Sequence, residues 1–500
     1  MTGRSGRSRP NIIIILIDTL RADHLSCYGH SRRTSPHIDA LAERGCVFEK
    51  VVSPAPWTPP SHASLFTGTY PSRHGVDRSH LILDPSLTPL PEVLKRHGYR
   101  TYGVSSNYWL SRETRFDRGF DEFVHSWQLV QTHGTNKPLQ RQQLRQDLHL
   151  ASTAEARGVK AKLGDFVNEQ FERARQQLRR SHHLCDDGAR RVNAFVHRWL
   201  SQWRRDEAPF FAFLHFMEPH IRYAAPRQYH RMHLPRSVSD DRVQRLNQDP
   251  WKYLTGSAPM GGEEFEILRG LYDGEVSYVD YQIGQLTGML ESAGLLDDTA
   301  IFLTSDHGEN LGEHGLMDHC YCLYDTLLRV PLIAHYPTAF GRGRRVAGQV
   351  QTHDLFPTIL ELAGIGDDPV WSQVQSRSLL GDPGNRIAFA EYLEPQPPLP
   401  VLRQRYPGFE GKEFDRALRT AETDRLKYVW GSDGRDELYD LAADPTESKN
   451  LIDEQPEKAK ELYSALETWL ASFQHSAQDQ ETVELDESTI KKLEQLGYLQ

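Results

Sequence analysis

The chain predicts an α/β fold: a mostly parallel central sheet flanked by helices, followed by a smaller C-terminal unit of short strands and one helix. Short apolar runs alternate with longer amphipathic segments along most of its length. Strands buried on both faces between helical crossovers are what a parallel sheet requires. At Glu394–Gly408 (EPQPPLPVLRQRYPG) the texture breaks in a proline-dense stretch that reads as a linker or wall loop. The chain's 500 residues also exceed one ordinary core, so a large domain plus a small one is the natural division.

The first strand candidate is Ile12–Ile17. Arginines precede it in MTGRSGRSRP, as in a secretion signal, but the run is six residues long, Asp18 ends it, and no small-residue cleavage site follows. A buried first strand is the reading. Helical patterns follow at His37–Arg44, Ser61–Thr67 and Leu90–His97, then a strand at Thr101–Ser105. Residues 133–205 are rich in Arg, Gln, Lys and Ala with little β-branched content, which reads as a helical insertion with a solvated basic face. Its last helix is expected at Asp187–Trp203. Strand Phe210–Phe216, a loop-rich insertion at 222–262 and helix Glu263–Ala293 come next. Strands Ala300–Thr304 and Val330–His335 and helix Leu355–Ala363 complete a large domain spanning 1–394. The small domain, 409–474, holds strand candidates Leu418–Glu422 and Lys427–Trp430, a Ser-Asp-Gly turn at 432–434 and a helix from Pro456 to Phe473. Residues 475–500 form an acidic, polar tail with a short terminal helix.

Composition narrows the function. A formal charge of −10, with 38% hydrophobic and 25% charged residues, argues against nucleic acid as a bulk partner. Every apolar stretch is too short to span a bilayer, so no membrane anchor is expected. The five cysteines, Cys27, Cys46, Cys185, Cys320 and Cys322, are odd in number and irregular in spacing, which predicts reduced thiols in a cytoplasmic compartment.

The stretch WTPPSHASLFTG, Trp57–Gly68, carries the most chemistry. Thr58 stands where an N-cap belongs, and Pro59 and Pro60 suit the first helical turn. Backbone N–H groups and the positive dipole end would surround its hydroxyl and favour an alkoxide or a bound anion. A plain capping threonine is the bland alternative. Asp18 follows one apolar strand, and Asp306 and His307 follow another in TSDHGENLGEHG. Ligands of such sheets bind beyond the carboxyl ends of the strands. Two carboxylates and an imidazole there, with the Thr58 oxygen, could hold one divalent cation; Mg²⁺, Mn²⁺, Ca²⁺ and Zn²⁺ all suit the donors.

Taken in order, the segments resemble the sulfatase family of the alkaline phosphatase superfamily. The matching pieces are IDTLRADHLSCYGH (17–30), SPHIDALAERG (35–45), the WTPPSHASLFTG stretch, YPSRHGV (70–76), GFDEF (119–123) and HFMEPHIRY (215–223). Later pieces are YDGEVSYVDYQIGQL (272–286), TSDHGENLGEHG (304–315), YDTLLRVPLI (324–333), HDLFPTILELAGI (353–365), DRLKYV (424–429) and ELYDLAADPTESKNL (437–451). The resemblance implies an antiparallel sheet in the small domain. It also implies one divalent metal held by Asp18, Asp306 and His307, in contact with a nucleophile at Thr58.

Sulfatases present C-x-P-S-R or S-x-P-S-R at that position, and the first residue matures to formylglycine. Here the residues are Thr58, Pro59, Pro60, Ser61 and His62. Threonine cannot follow that route, and a threonine ester must be cleaved by water or passed to an acceptor. Threonine nucleophiles of the superfamily handle phosphorus, and the Asp306-His307 pair looks like that of phosphonate monoester hydrolases. The resemblance further assigns His220 and His319 to the substrate anion and leaving group. Asn107 and His62 stand where the family has basic residues and are expected at the anion pocket. His314 reads as a loop-holding residue and Glu218 as structural. The leading expectation is a metal-dependent hydrolase of small anionic esters: phosphate mono- or diesters, or phosphonate esters. The alternatives are sulfate ester hydrolysis without formylglycine and non-catalytic anion binding.

Overall fold

The computed structural model describes residues 9–129, 186–203, 208–319, 321–395 and 399–473. Ten strands belong to its two main sheets' large-domain part and to a small ribbon: β1 (Asn11–Ile17), β2 (Cys46–Val52), β3 (Arg100–Ser105), β4 (Glu122–His125), β5 (Phe210–Phe216), β6 (Thr299–Thr304), β7 (Asn310–Leu311), β8 (Met317–Asp318), β9 (Leu332–His335) and β10 (Arg344–Gln351). Eight of them form one sheet in the order β10-β2-β9-β6-β1-β5-β3-β4, and β7 pairs with β8 alone. All pairings in the large sheet are parallel except those of β9, which runs antiparallel to both β6 and β2.

β1 shows why the centre is parallel. Every residue of NIIIILI is buried. Ile13, Ile15 and Ile17 pack in one cluster with Leu271, Val279 and Ile283 of the long Gly262–Ser292 helix. Ile12, Ile14 and Leu16 face the opposite cluster, with Phe66, Leu94 and Phe356. The strand alternation thus feeds two helical layers, as a doubly covered sheet demands.

Four strands, β11 (Ala388–Tyr392), β12 (Leu418–Glu422), β13 (Leu426–Gly431) and β14 (Glu437–Asp440), make an antiparallel sheet in sequence order, covered by the Pro456–Ala471 helix. Its first strand lies before the boundary expected at residue 394. β2, β4, β10, β11 and β14 were not among the expected strands. β2 (CVFEKVV) carries charge in its half-buried middle, Glu49 and Lys50, and β10 (RRVAGQVQ) at its exposed first end on the sheet edge. Of the insertion expected at 133–205, residues 130–185 and 204–207 lie outside the described residues, as does the tail from 474 onward. The part described is a helix from Ala189 to Gln202 with Gly188 as its N-cap. The loop-rich insertion at 222–262 holds three short helices.

Candidate active site

The large sheet delivers its functional residues along one edge. β1 hands on Asp18, β6 hands on Asp306 and His307, and β3 leads into Asn107. β5 carries His215 as its penultimate residue and leads into His220. All four strands run parallel, so these are their C-terminal ends, where ligands of open α/β sheets bind.

Thr58 opens the wholly buried Thr58–Thr67 helix. The structure corrects its expected place by one residue. Trp57, in extended conformation, is the N-cap, and Thr58 is the first helical residue. The expected collar of backbone donors is also thinner than supposed. Pro59 and Pro60 have no N–H, and the N–H of Ser61 already reaches the Trp57 carbonyl at 3.4 Å. The first turn therefore offers the Thr58 N–H and the helix dipole. The hydroxyl turns towards the strand ends: Thr58 Oγ1 lies 3.4 Å from His307 Nε2 and accepts from the Asn107 amide nitrogen at 3.5 Å.

Both carboxylates divide their oxygens. Asp306 Oδ1 accepts from the backbone N–H groups of Thr19 (3.3 Å) and His307 (3.0 Å), while Oδ2 is buried without a hydrogen-bond partner. Asp18 Oδ2 accepts from the Asn107 amide at 2.9 Å, while Oδ1 is buried without one. His307 donates its Nδ1–H to the Gly308 carbonyl at 2.9 Å, which leaves the Nε2 lone pair 3.3 Å from Asp306 Oδ2 and 3.8 Å from Asp18 Oδ1. Burial lowers the pKa of His307 and so favours this neutral form. Burial acts to raise the Asp18 carboxyl, yet His215, His220 and His307 around it hold it well below the usual range. Unpaired carboxylate oxygens facing each other in a dry site are costly unless a cation joins them. A neutral imidazole with its outer N–H tied to a carbonyl is the form that binds metals. The residues present therefore fit a divalent cation, with Asp18, Asp306 and His307 ligand atoms all within 4.8 Å of one another.

The other expected residues divide. His319 stands over His307, ring centroids 4.4 Å apart, and His220 is 5.0 Å from His319. His319 Nδ1 sits 2.7 Å from Asp318 Oδ1 and 3.2 Å from Glu309 Oε1. Burial works against charge on this ring, but Asp318 and Glu309 raise its pKa well above the ordinary imidazole value. His220 places its Nδ1 2.7 Å from the Ile221 carbonyl. His62 is fully buried behind the helix tip, with Nδ1 on the Thr58 carbonyl at 2.8 Å and 3.6 Å from Asp306 Oδ2. Burial lowers its pKa to about 4, so it stays neutral. It braces the turn that carries Thr58. Asn107 is likewise buried, its amide directed to Asp18.

His314 stacks on Tyr324 at 3.8 Å, within its turn and away from the trio. Glu218 Oε1 accepts from the N–H groups of Asp187 and Ala189 and ties down the start of the Ala189–Gln202 helix. Sequence reasoning missed His215, Glu309 and Asp318. His215 could have been found as the one polar side chain in FFAFLHF, and Asp318 as the acid beside His319.

Two further groups of potential metal ligands occur among the described residues: Glu309, Asp318 and His319, just described, and His24, His30 and Asp273. In the latter, Arg32 already pairs with Asp273 Oδ2 at 2.7 Å, so a protein cation takes the place a metal would need.

Comparison with known proteins fits this geometry. The model of the family described as "Sulfatase" matches residues 10–365, and that of the N-sulphoglucosamine sulphohydrolase C-terminal region matches 312–476. The chain belongs to the sulfatase family. It is an ester hydrolase of the alkaline phosphatase superfamily, a group that typically uses a divalent metal. Among sulfatases it is similar to the uncharacterized sulfatase YidJ of Escherichia coli, 25% identical over 453 residues, with 89% of this chain and 84% of the relative covered. The choline-sulfatase of Rhizobium meliloti is 25% identical over 461 residues, with 89% and 83% covered. The phosphonate monoester hydrolase structure of Agrobacterium radiobacter shares the fold, with a TM-score of 0.65 at 23% identity over 96% of this chain and 99% of that one. No helix among the described residues is long and apolar enough to cross a membrane.

Proposed function

We propose that this sulfatase-family chain hydrolyses phosphate mono- or diesters, or phosphonate esters, of small anionic substrates with Thr58 as nucleophile. One observation carries the reading: a threonine hydroxyl at a buried helix tip, 3.4 Å from the His307 lone pair and next to the unpartnered oxygens of Asp18 and Asp306. A cation on Asp18, Asp306 and His307 would lower the hydroxyl pKa and neutralise charge on the transferred group. Thr58 Oγ1 attacks phosphorus in line and releases its proton to solvent water as the P–O bond to Thr58 forms. The bond to the leaving oxygen breaks, and His319 or His220 gives that oxygen a proton. His319 is well suited, because Asp318 and Glu309 keep it charged. Water then attacks phosphorus and gives a proton to the histidine left neutral by the first step, the P–O bond to Thr58 breaks, and the Thr58 oxygen takes up a proton from solvent. Unlike a formylglycine hydrate, the threonine ester has no second hydroxyl through which to eliminate, so this second step depends on water.

Sulfate ester hydrolysis is the second reading, favoured by relatives named as sulfatases, among them the choline-sulfatase. A screen of aryl phosphate, phosphodiester, phosphonate and sulfate esters separates the two. Turnover of phosphorus esters in preference to sulfate is expected. Thr58→Ala should cut kcat by on the order of 10⁴-fold or more while metal still binds through the other three residues. Full activity in that variant overturns the mechanism, and tight anion binding with no turnover of any ester would favour a pure binder.

A further inference from the structure

His215 is a polar residue where packing alone would choose an apolar one. It lies in β5, FFAFLHF, with every residue buried, and its own exposure is zero. Its ring sits among Phe213 and His62. A buried imidazole without a polar task costs free energy that a Leu or Phe would not. The task visible here is Asp18. His215 Nε2 lies 3.3 Å from Asp18 Oδ2, an ion-pair contact rather than an aligned hydrogen bond, since neither ring nitrogen has a hydrogen-bond partner; the same oxygen accepts from the Asn107 amide at 2.9 Å. Strand pairing fixes this approach. Leu16 of β1 is in register with His215, and the Asp18 N–H donates to the Phe216 carbonyl at 2.9 Å. Asn107 is equally fixed: its side-chain oxygen accepts from the Trp109 N–H at 3.0 Å, which turns the amide nitrogen towards Asp18. Two nitrogen groups from two neighbouring strand ends therefore converge on one carboxylate oxygen, and the other, Oδ1, is left towards His307.

We infer that His215 is a positioning residue of the cation site: together with Asn107 it holds Oδ2 of Asp18 and so presents Oδ1 alone to the cation. The inference rests on the reading that Asp18, Asp306 and His307 bind a divalent cation. A carboxylate with both oxygens free could turn or bind through both, whereas one held on Oδ2 by the Asn107 amide and flanked there by the His215 ring nitrogen offers a single oxygen in a set direction. Outer partners of this kind typically contribute about 10- to 100-fold in metal affinity.

The test is calorimetric titration of Mn²⁺ into metal-free protein, compared across wild type, His215→Leu and His215→Gln, with the melting temperature of each metal-free form as a folding control. Leu keeps the bulk and removes the donor. Gln places an amide nitrogen near where Nε2 stood. His215→Leu should weaken Mn²⁺ binding about 10- to 100-fold, and His215→Gln should recover most of it. Should the Leu variant not fold, Asn107→Ala, on the neighbouring loop, reads the same oxygen and should show a loss of the same order. Mn²⁺ affinity unchanged in the Leu variant, or in Asn107→Ala where Leu does not fold, overturns the inference. Equal losses in Leu and Gln overturn it too, since they would make bulk and shape, not the donor, the cause. A wild-type protein that takes up no divalent cation fails earlier, at the underlying reading, and is distinguished by that first titration.

Discussion

At the scale of single residues, the parts of the site that follow strand ends were legible and the parts inside strands were not. Asp18, Asp306 and His307 each stand just after an apolar run, a weak signal by itself that the ordered resemblance to the sulfatase segments turned into a ligand set. His215 stands inside one, where a lone polar residue gives no hint of which neighbour it serves until β5 is laid beside β1. His62, expected at the anion pocket, shows a contact that the sequence did not announce. One helical turn after Thr58, its side chain folds back onto the Thr58 carbonyl, a contact that the i, i+4 spacing allows and the rotamer selects. Asp273 shows another residue whose role only tertiary structure reveals. From the long Gly262–Ser292 helix it meets His24 at 2.6 Å, His30 at 3.3 Å and Arg32 at 2.7 Å, all from the loop after β1. Burial acts to raise its pKa, but His24 and His30 hold the carboxyl below its ordinary value. A depressed folded-state pKa contributes stability that is present above the unfolded value, about 3.9 for Asp, and is lost as pH falls below it. Asp273→Asn should therefore lower stability by about 3 kcal/mol at neutral pH. The gap to wild type should close as pH drops below about 4, as read by urea unfolding at several pH values.

At the scale of elements, the central strands β1, β5 and β6 were predicted because burial on both faces leaves a largely apolar signature, and β3 because its buried Val104 end follows β-branched and aromatic residues. β2, β4 and β10 were not, because strands near an edge tolerate charges such as Glu49, Lys50, Arg344 and Arg345. The direction of β9 was equally hidden: pairing sense is a property of the partners, not of LIAH itself. The elements that were legible are those the cation would tie together, since its ligands follow β1 and β6 and touch the Thr58 helix. Without a cation, Asp18 and Asp306 bring two carboxylates together in a buried space, and binding offsets that repulsion. Chelation should lower the melting temperature as well as abolish turnover. One imidazole among oxygen donors favours a borderline cation, so Mn²⁺ or Zn²⁺ should restore both quantities at lower concentration than Ca²⁺. Equal restoration by Ca²⁺ would mean that the His307 nitrogen is not a ligand.

At the scale of the whole molecule, the small sheet is joined to the large domain through a buried charge cluster. Lys427 of β13 has no exposed side-chain surface, and it pairs with Asp325 of the large domain, with Glu447 at 2.8 Å and with Glu422 at 3.5 Å. Arg329 adds a second bridge, to Asp325 at 3.1 Å and Glu422 at 3.2 Å. Asp325 follows the segment that carries His319, so the cluster also anchors the wall of the active site. Lys427→Met keeps the length of the side chain but strands three carboxylates with only Arg329 to balance them. Breaking a buried pair from one side typically costs about 3–5 kcal/mol, and a fall in stability of that order is expected at neutral pH. The sign of its pH dependence follows from Glu447. Burial already raises its pKa to about 7 against the pull of Lys427, and loss of the lysine raises it further. Between about pH 7 and its own higher pKa the folded variant holds a proton that folded wild type and the unfolded chain have both released, so the variant gains stability relative to wild type as pH falls from about 9 to about 7, and below that the gap stays constant because wild-type Glu447 is protonated too. Denaturant unfolding across that range reads both magnitude and sign. A deficit that stays constant over those pH values would mean that the cluster acts through packing, and that its carboxylates remain charged without Lys427.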